Sequence, residues 1–351
     1  MKLAFLVTNI QTEKATYVTV KMAHIATKRG HEVYFIGIGD LSYHMKEKGE
    51  MYAKACVVKN KNHPNPEAYI NELHSIEKKD YKKISLDELD VLMLRTDPCD
   101  KEICNKSWAK NIGVDFGRLL MRKGVIVLNS PNGLSYAKDK MYLQSFPNKI
   151  RPKTIVTKDK DDIKDFFKGS SRMILKPLAG SEGTNVFLID KKSHHNLNQI
   201  VEAVSSDGYI VAQEYLPKAE EGDIRLIMIN GEPLVVDGKY AAFKRVAKNG
   251  DVRNNVSIGG AVKKVKITKE ILDVCKCVRP RLVQDGMFFV GLDIVGDKVL
   301  EVNVFNPGGL FNAEKLEGVD FTTPIIEALE RKVAYMKDYN RKINPHHVTT
   351  M

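Results

Sequence analysis

Three groups of residues in this 351-residue chain have the types and spacing for chemistry on a phosphate-bearing ligand. The first runs from Leu175-Lys176-Pro177 through Leu178 and Ala179 into Gly180-Ser181-Glu182-Gly183. A lysine ending a buried strand is costly unless it meets an anion. Glycines at 180 and 183 let backbone amides approach phosphate oxygens. The competing reading is a plain hairpin with Lys176 in solvent. The second group is Asp293 to Asn303, where Glu301 and Asn303 lie two apart and share one face of a strand. A three-residue turn at Gly296-Asp297-Lys298 brings Asp293 onto that face, whereas a two-residue turn puts it on the other. Two carboxylates and an amide carbonyl are hard oxygen ligands suited to magnesium shared with phosphates. Leu292, Ile294, Leu300 and Val302 then form the buried face, and the bland alternative is an amphipathic hairpin. The third group is Val211–Pro217 followed by Glu221-Gly222-Asp223-Ile224-Arg225. A strand end of this kind offers backbone groups to a purine edge, with Leu216 and Tyr215 beside the ring and Asp223 for ribose hydroxyls.

The elements that must position these groups follow an alternating rhythm. Met1–Val7 is a short apolar run, and Val18, Met22 and Ile25 then recur at helical spacing up to Gly30. Glu32–Ile38 is rich in β-formers and is closed by Gly39-Asp40; residues 57–85 are polar; Asp90–Leu94 and Val125–Leu128 are again strand-like. This βαβ order predicts a parallel sheet with helices on its faces. Gly37-Ile38-Gly39 lacks the third glycine of a dinucleotide fingerprint. From Pro131 the spacing predicts helices over 137–146, 161–167, 193–204, 269–284 and 322–337. Strands are predicted at 153–156, 172–177, 185–189, 209–215, 224–229, 234–236, 288–294 and 298–304. Residues 244–262 are polar and glycine-bearing, as a mobile flap is, and Lys342–Met351 is expected to be loose.

Bulk composition narrows the function classes. The chain is 43% hydrophobic and 28% charged, which excludes wholesale disorder. No run approaches the roughly 20 apolar residues of a membrane span, and the short first strand does not read as a secretion signal. Five cysteines form a sparse, odd set that fits a reducing cytoplasm, with Cys275 and Cys277 read as core or surface thiols. The 55 Lys+Arg against 44 Asp+Glu give a net charge of +11. Its basic stretches lack aromatic interleaving and known finger or helix-turn-helix spacing, so attraction of small anions is preferred over nucleic-acid binding.

The order Lys140, Ile174-Leu175-Lys176-Pro177-Leu178, Ala212–Pro217, Gly222-Asp223-Ile224-Arg225, Phe289-Val290-Gly291-Leu292-Asp293 and Glu301-Val302-Asn303 resembles the bacterial-type glutathione synthetases of the ATP-grasp superfamily. The likeness extends from Met1 to about Lys332. It implies an α/β chain with the ATP-grasp fold: a Rossmann-like domain (1–130), a central lid (131–208), a catalytic unit (209–338) and a tail (339–351). It also implies ATP between the latter two units, with Lys140 and Lys176 on the phosphates and Gly180, Ser181, Glu182 and Gly183 as the phosphate loop. Gln213, Glu214, Tyr215 and Leu216 then line the adenine slot and Asp223 meets the ribose. Asp293, Glu301 and Asn303 hold two magnesium ions, while Arg225 and Arg245 are catalytic and face substrate together with Asn306, Gly308 and Gly309. Family members commonly form dimers or tetramers.

The implied reaction converts a carboxylate to an acyl phosphate, which an amine then attacks. No Ser/His/Asp or Cys/His nucleophile is required, and His194-His195 and His346-His347 are assigned to the surface. On the acceptor side the sequence departs from the family. The loop after the first strand lacks its Asp-Pro start and Lys-Lys-Asp-Ser, and Glu182 stands where a glycine is usual. Asn306-Pro307-Gly308-Gly309-Leu310 replaces a Ser-Pro-Thr segment and is closer to ribosomal-protein glutamate ligases. Three readings stay open: glutathione-type ligation, addition of amino acids to a peptide or protein end, and nucleotide binding without catalysis.

Overall fold

Leu3 to Val7 are five consecutive residues with no solvent exposure, so the strand that carries them needs cover on both faces. A computed structural model provides that cover, and describes residues 1–45, 49–100, 102–103, 105–180, 185–190, 196–205, 208–246 and 260–351. The strands β1 (Lys2–Val7), β2 (Glu32–His44), β3 (Glu50–Cys56), β4 (Lys82–Ser85), β5 (Val91–Arg95) and β6 (Ile126–Leu128) form one sheet of order β4-β3-β2-β1-β5-β6. Leu3, Phe5 and Val7 pack under α1 (Val18–Lys28) and α2 (Pro66–Ser75), while Ala4 and Leu6 pack under α3 (Ala109–Arg122). The expected parallel sheet is correct for β1, β2, β5 and β6, but β3 and β4 add antiparallel. β2 does not end at Gly39-Asp40; it bends there, through a register shift between Ile36 and Leu41, and continues to His44. Residues 57–85 are not wholly irregular either. Asn65 caps α2 by accepting from the Ala68 amide, and the helix buries the narrow stripe Tyr69, Ile70 and Leu73.

Beyond α4 (Pro131–Tyr136), the helix expected over 137–146 is a set of 3₁₀ turns at Lys140–Ser145, begun by Asp139 accepting from the Met141 amide. The second sheet joins β7 (Thr154–Thr157), β8 (Arg172–Pro177), β9 (Phe187–Asp190) and β10 (Ile210–Glu214) in the order β7-β10-β8-β9, all antiparallel. Strand β10 belongs to this sheet, although a division after residue 208 groups it with the following segment. Helices α5 (Lys160–Lys168) and α6 (Leu197–Ser205) close a small core over Met173, Leu175, Ile189 and Ile210.

The third sheet contains β11 (Asp223–Ile229) and β12 (Glu232–Pro233), with the separate hairpin β13 (Val235–Val236) and β14 (Lys239–Tyr240) beside it. β15 (Ala242–Val246), β16 (Ala261–Lys263), β17 (Phe289–Val295) and β18 (Lys298–Asn303) complete the order β16-β15-β11-β17-β18. Its faces are covered by α7 (Lys269–Gln284) on one side and by α8 (Leu310–Glu317) and α9 (Thr322–Asp338) on the other. The latter core is continuous with that of the first sheet. Among the described residues, no helix is long and apolar enough to cross a membrane.

Buried Asn129 pins the first sheet to the third. Its Nδ2 donates to the carbonyls of Phe289 (2.9 Å) and Val304 (2.5 Å), and its Oδ1 accepts from the Phe289 amide at 2.8 Å. Asn129→Ala leaves three backbone groups without a partner, so the unfolding free energy should fall by about 2–4 kcal/mol, read from urea denaturation.

The expected loose tail is ordered instead. α10 (Pro345–Val348) buries Val348 and Thr349, and buried Lys332 donates to Val348 O (3.0 Å), Met351 O (2.7 Å) and Asn230 Oδ1 (2.8 Å). His346, assigned to the surface, is half-buried and shares a 3.0 Å hydrogen bond with Ser130 Oγ. His194 and His195 lie outside the described residues.

Candidate active site

The β17–β18 hairpin turns through two residues, Gly296 and Asp297, because Val295 pairs with Lys298 and Ile294 with Val299. A two-residue turn by itself would place Asp293 and Glu301 on opposite faces. A register shift beside Asp293 removes Leu300 from the ladder and sets Glu301 directly opposite Asp293. The two carboxylates therefore share a face, by a bulge rather than by a longer turn. Leu300 accordingly leaves the expected buried face, and fully buried Val299 takes its place beside Leu292, Ile294 and Val302.

Register also assembles the arginines. On β11, Asp223 stands opposite Arg245 of β15, and Arg225 stands opposite Asp293 of β17. Arg225 donates from Nε to Asp293 Oδ1 at 2.5 Å and from Nη2 to Oδ2 at 3.0 Å. Arg245 meets Asp293 Oδ2 at 2.8 Å and binds Asp223 through Nε at 3.0 Å. Burial raises the Asp293 carboxyl, but Arg225 and Arg245 more than reverse this and hold it at about 2. Burial and the neighbouring Asp293 charge push Asp223 up to about 6 against the pull of Arg245. Gly222 makes the crossing possible: its φ is +108°, and a Cβ there would lie 2.1 Å from Arg245 O. Asp223, expected on a ribose, is thus buried against Arg245.

On the phosphate side, β8 delivers Lys176 to Gln213 Oε1 at 3.1 Å across the β8–β10 pair. Lys140 reaches the same place from its 3₁₀ turn, donating from Nζ to Gly180 O at 2.8 Å and from its amide to Leu178 O at 3.2 Å. Gly180 holds φ +125°. Ser181, Glu182 and Gly183 lie outside the described residues. Burial lowers both lysines, Lys176 to about 8, while Glu301 opposes the shift in each. An anion beside Lys176 restores its proton, so nucleotide binding should weaken as pH rises through about 8 and take up a proton there. Calorimetric titration with ATP and magnesium in two buffers should show about tenfold weaker binding at pH 9 than at pH 7. A flat profile would remove Lys176 from the phosphates.

The third group gives a mixed result. Buried Gln213 contacts Lys176 and donates from Nε2 to Thr154 Oγ1 at 3.3 Å. Glu214 turns back to accept from the Lys153 amide at 2.7 Å, and the Tyr215 ring lies 4.2 Å from the Arg172 guanidinium carbon. The Leu216 amide donates to no group among the described residues, which leaves a backbone donor at this strand end.

Past β18, Arg225 Nη1 donates to Gly308 O at 3.2 Å and buried Arg95 donates from Nη2 to Pro307 O at 3.2 Å. Gly309, at φ +104°, opens α8 against the Phe243 ring, while Asn306 is exposed. Sequence reasoning missed Arg95, and Asp97 with it. The Asp97 carboxyl accepts from the Cys99 amide at 2.8 Å and lies in the fields of Glu301 and Lys140. A charged residue ending the apolar run Val91–Leu94 was the available signal. Of the flap expected over 244–262, the described ends belong to β15 and β16, and residues 247–259 lie outside the described residues.

Magnesium fits part of this set. Glu301 makes no hydrogen bond among the described residues, and Asn303 donates from Nδ2 to Asp293 Oδ2 at 3.3 Å, which leaves its Oδ1 without a hydrogen bond among those residues. Both are hard oxygen donors of the kind that hold magnesium jointly with phosphate oxygens. Asp293 is engaged by two arginines. Among the described residues no three His, Cys, Asp or Glu side chains cluster so as to hold a metal ion by themselves. Lysines, arginines and open oxygens at one end of two sheets suit transfer of a phosphoryl group by charge neutralisation.

Residues 1–135 match the model for the prokaryotic glutathione synthetase N-terminal domain, and residues 139–318 match that for its ATP-grasp domain. The chain is 33% identical to glutathione synthetase of Synechococcus elongatus, over 95% of this chain and 99% of that one. The Buchnera aphidicola glutathione synthetase is 31% identical over 88% and 89%. Among solved structures, ATP-grasp ligase PsnB with precursor peptide PsnA2 and AMPPNP superposes with a TM-score of 0.60 at 16% identity, covering 94% of this chain and 98% of that one. D-cycloserine synthetase DcsG gives 0.56 at 12% identity, covering 93% and 100%. At such identities the structural likeness concerns the fold, which is ATP-grasp.

Proposed function

Because the chain belongs to the prokaryotic glutathione synthetase family, we propose that it joins the cysteinyl carboxylate of γ-glutamylcysteine to the amine of glycine, converting ATP to ADP and phosphate. It is an ATP-dependent carbon–nitrogen ligase. The observation that carries the reading is the placement of Glu301 in the fields of both Lys140 and Lys176, on the face shared with Asp293 and its two arginines.

A carboxylate resists an amine because its carbonyl is electron-rich and oxide is a poor leaving group. Transfer of the γ-phosphoryl group makes an acyl phosphate, and attack by the neutral amine then expels phosphate. Lys140 and Lys176 neutralise the transferring phosphates, and the backbone at Gly180 supports them. The Leu216 amide meets the purine edge, and Glu214 and Tyr215 fix the strand end around it. Asp223 positions Arg245, and Arg225 and Arg245 offset charge on the acyl oxygens. The loop Asn306–Gly309, held by Arg95 and Arg225, shapes the substrate side. Two magnesium ions, held through Glu301 and the Asn303 amide oxygen together with phosphate oxygens, would supply Lewis-acid charge to the polyphosphate, while Asp293 holds Arg225 and Arg245 beside them.

In this reading residues 1–130 form the Rossmann-like domain, 131–214 the lid with β10 in its sheet, and 215–338 the catalytic unit. The enzyme works in the cytoplasm as a dimer or tetramer. The Asn306-Pro307-Gly308-Gly309 segment keeps a peptide-end ligase as the second reading, though the end-to-end match with glutathione synthetases favours the first. Incubation with ATP, magnesium, γ-glutamylcysteine and glycine should give ADP and the tripeptide in equal amounts by mass spectrometry. ADP release with peptide substrates alone would transfer the assignment to the second reading, and no release with any pair would favour nucleotide binding without catalysis.

A further inference from the structure

The order β4-β3-β2-β1-β5-β6 reverses between β1 and β5, and ligands of such sheets bind beyond the carboxyl ends of the strands at that point. Two charged side chains are buried there. Arg95 ends β5, and Glu13 follows the turn that leaves β1. Glu13 is only 8% exposed, and its Oε2 has no hydrogen-bond partner among the described residues. Arg95 does not satisfy it: Nε donates to Thr19 Oγ1 at 3.1 Å, and Nη2 donates to Pro307 O. A buried carboxylate oxygen left without a donor is costly, and such groups ordinarily have a partner. The site is coupled to the acyl centre, because Arg95 and Arg225 hold adjacent carbonyls, Pro307 O and Gly308 O.

We propose that Glu13 receives the α-ammonium group of the acid substrate. This rests on the reading that the substrate is a γ-glutamyl compound, whose far end carries that ammonium beside a carboxylate suited to Arg95. The attacking amine is the wrong occupant, since it must be neutral to react and a buried carboxylate would keep it protonated. Burial pushes Glu13 up to about 7, with Arg95 opposing and Asp100 adding to the rise; a bound cation reverses that shift.

The test compares γ-glutamylcysteine with glutarylcysteine, which has hydrogen in place of the ammonium. The wild-type protein should prefer the first by about 100-fold in kcat/KM, as sites built to bond a polar group reject analogues lacking it. Glu13→Gln should raise KM for γ-glutamylcysteine at least about tenfold and reduce the preference to about threefold or less, with KM for ATP and glycine unchanged. Its Tm should stay level or rise, since an unpaired buried charge is removed. Glu13→Asp, which keeps the charge, should fall between the two. An unaltered preference in Glu13→Gln, or an equal rise in KM for ATP, overturns the proposal. If wild-type protein gives no ADP with γ-glutamylcysteine and glycine, the glutathione reading fails by itself. The same amino and desamino comparison on the acid that does react then decides Glu13 separately.

Discussion

Glu301→Ala is expected to lower ADP formation by at least about 1,000-fold at saturating magnesium, with Tm unchanged within error. The side chain makes no hydrogen bond or ion pair among the described residues, so its removal breaks little in the folded chain. Its negative charge, however, raises both Lys140 and Lys176 against the desolvation that lowers them. Loss of Glu301 removes an oxygen donor and lowers both lysines further, so fewer of them carry the charge that phosphate transfer requires. Glu301→Gln keeps the shape without the charge and should recover only a small part of the rate. Substantial turnover in either variant would take Glu301 out of the metal set.

Asp293→Asn should act on stability as strongly as Glu301→Ala acts on rate. Asp293 is the anion between Arg225 and Arg245, and taking one partner from a buried ion pair costs about 3–5 kcal/mol. The pH dependence separates the contributions. The Asp293 pKa of about 2 lies below its unfolded value near 3.9, so its stabilisation is present above about pH 4 and is lost as pH falls toward 2. Asp223, at about 6, has the opposite sign: it costs stability as pH rises from about 4 to 6. The deficit of Asp293→Asn in urea denaturation should therefore be largest above about pH 4 and shrink in acid. The Asp223 penalty should also diminish in that variant, because the carboxylate that raises it is gone. A deficit below about 1 kcal/mol at pH 7 would mean that the arginines are satisfied elsewhere.

The parts legible in the sequence were those with local causes. The run Leu3–Val7 called for a doubly covered strand, and Lys269–Gln284 forms a helix over its expected span. Lys176 at a strand end and Glu301 with Asn303 two apart on one strand singled out the candidate site by residue type and spacing, which leave a solvated hairpin open as the alternative. The rest depended on distant partners. Whether Asp293 faces Glu301 is decided by one extra residue, Leu300, in a ladder, and no local preference announces a bulge. α2 escaped notice because three buried residues in a decapeptide leave a weak periodic signal. The tail looked loose because its order comes from Lys332, reaching over from another helix. Glu13 and Arg95 meet only when β1 and β5 become neighbours, so their spacing along the chain says nothing.

Isotope transfer tests the central chemistry most directly. γ-Glutamylcysteine labelled with ¹⁸O in its cysteinyl carboxylate should pass one labelled oxygen to inorganic phosphate for every amide formed, read by mass spectrometry of the phosphate. Unlabelled phosphate accompanying labelled tripeptide would contradict activation of the carboxylate by phosphoryl transfer, and with it the roles given to the lysines and to Glu301.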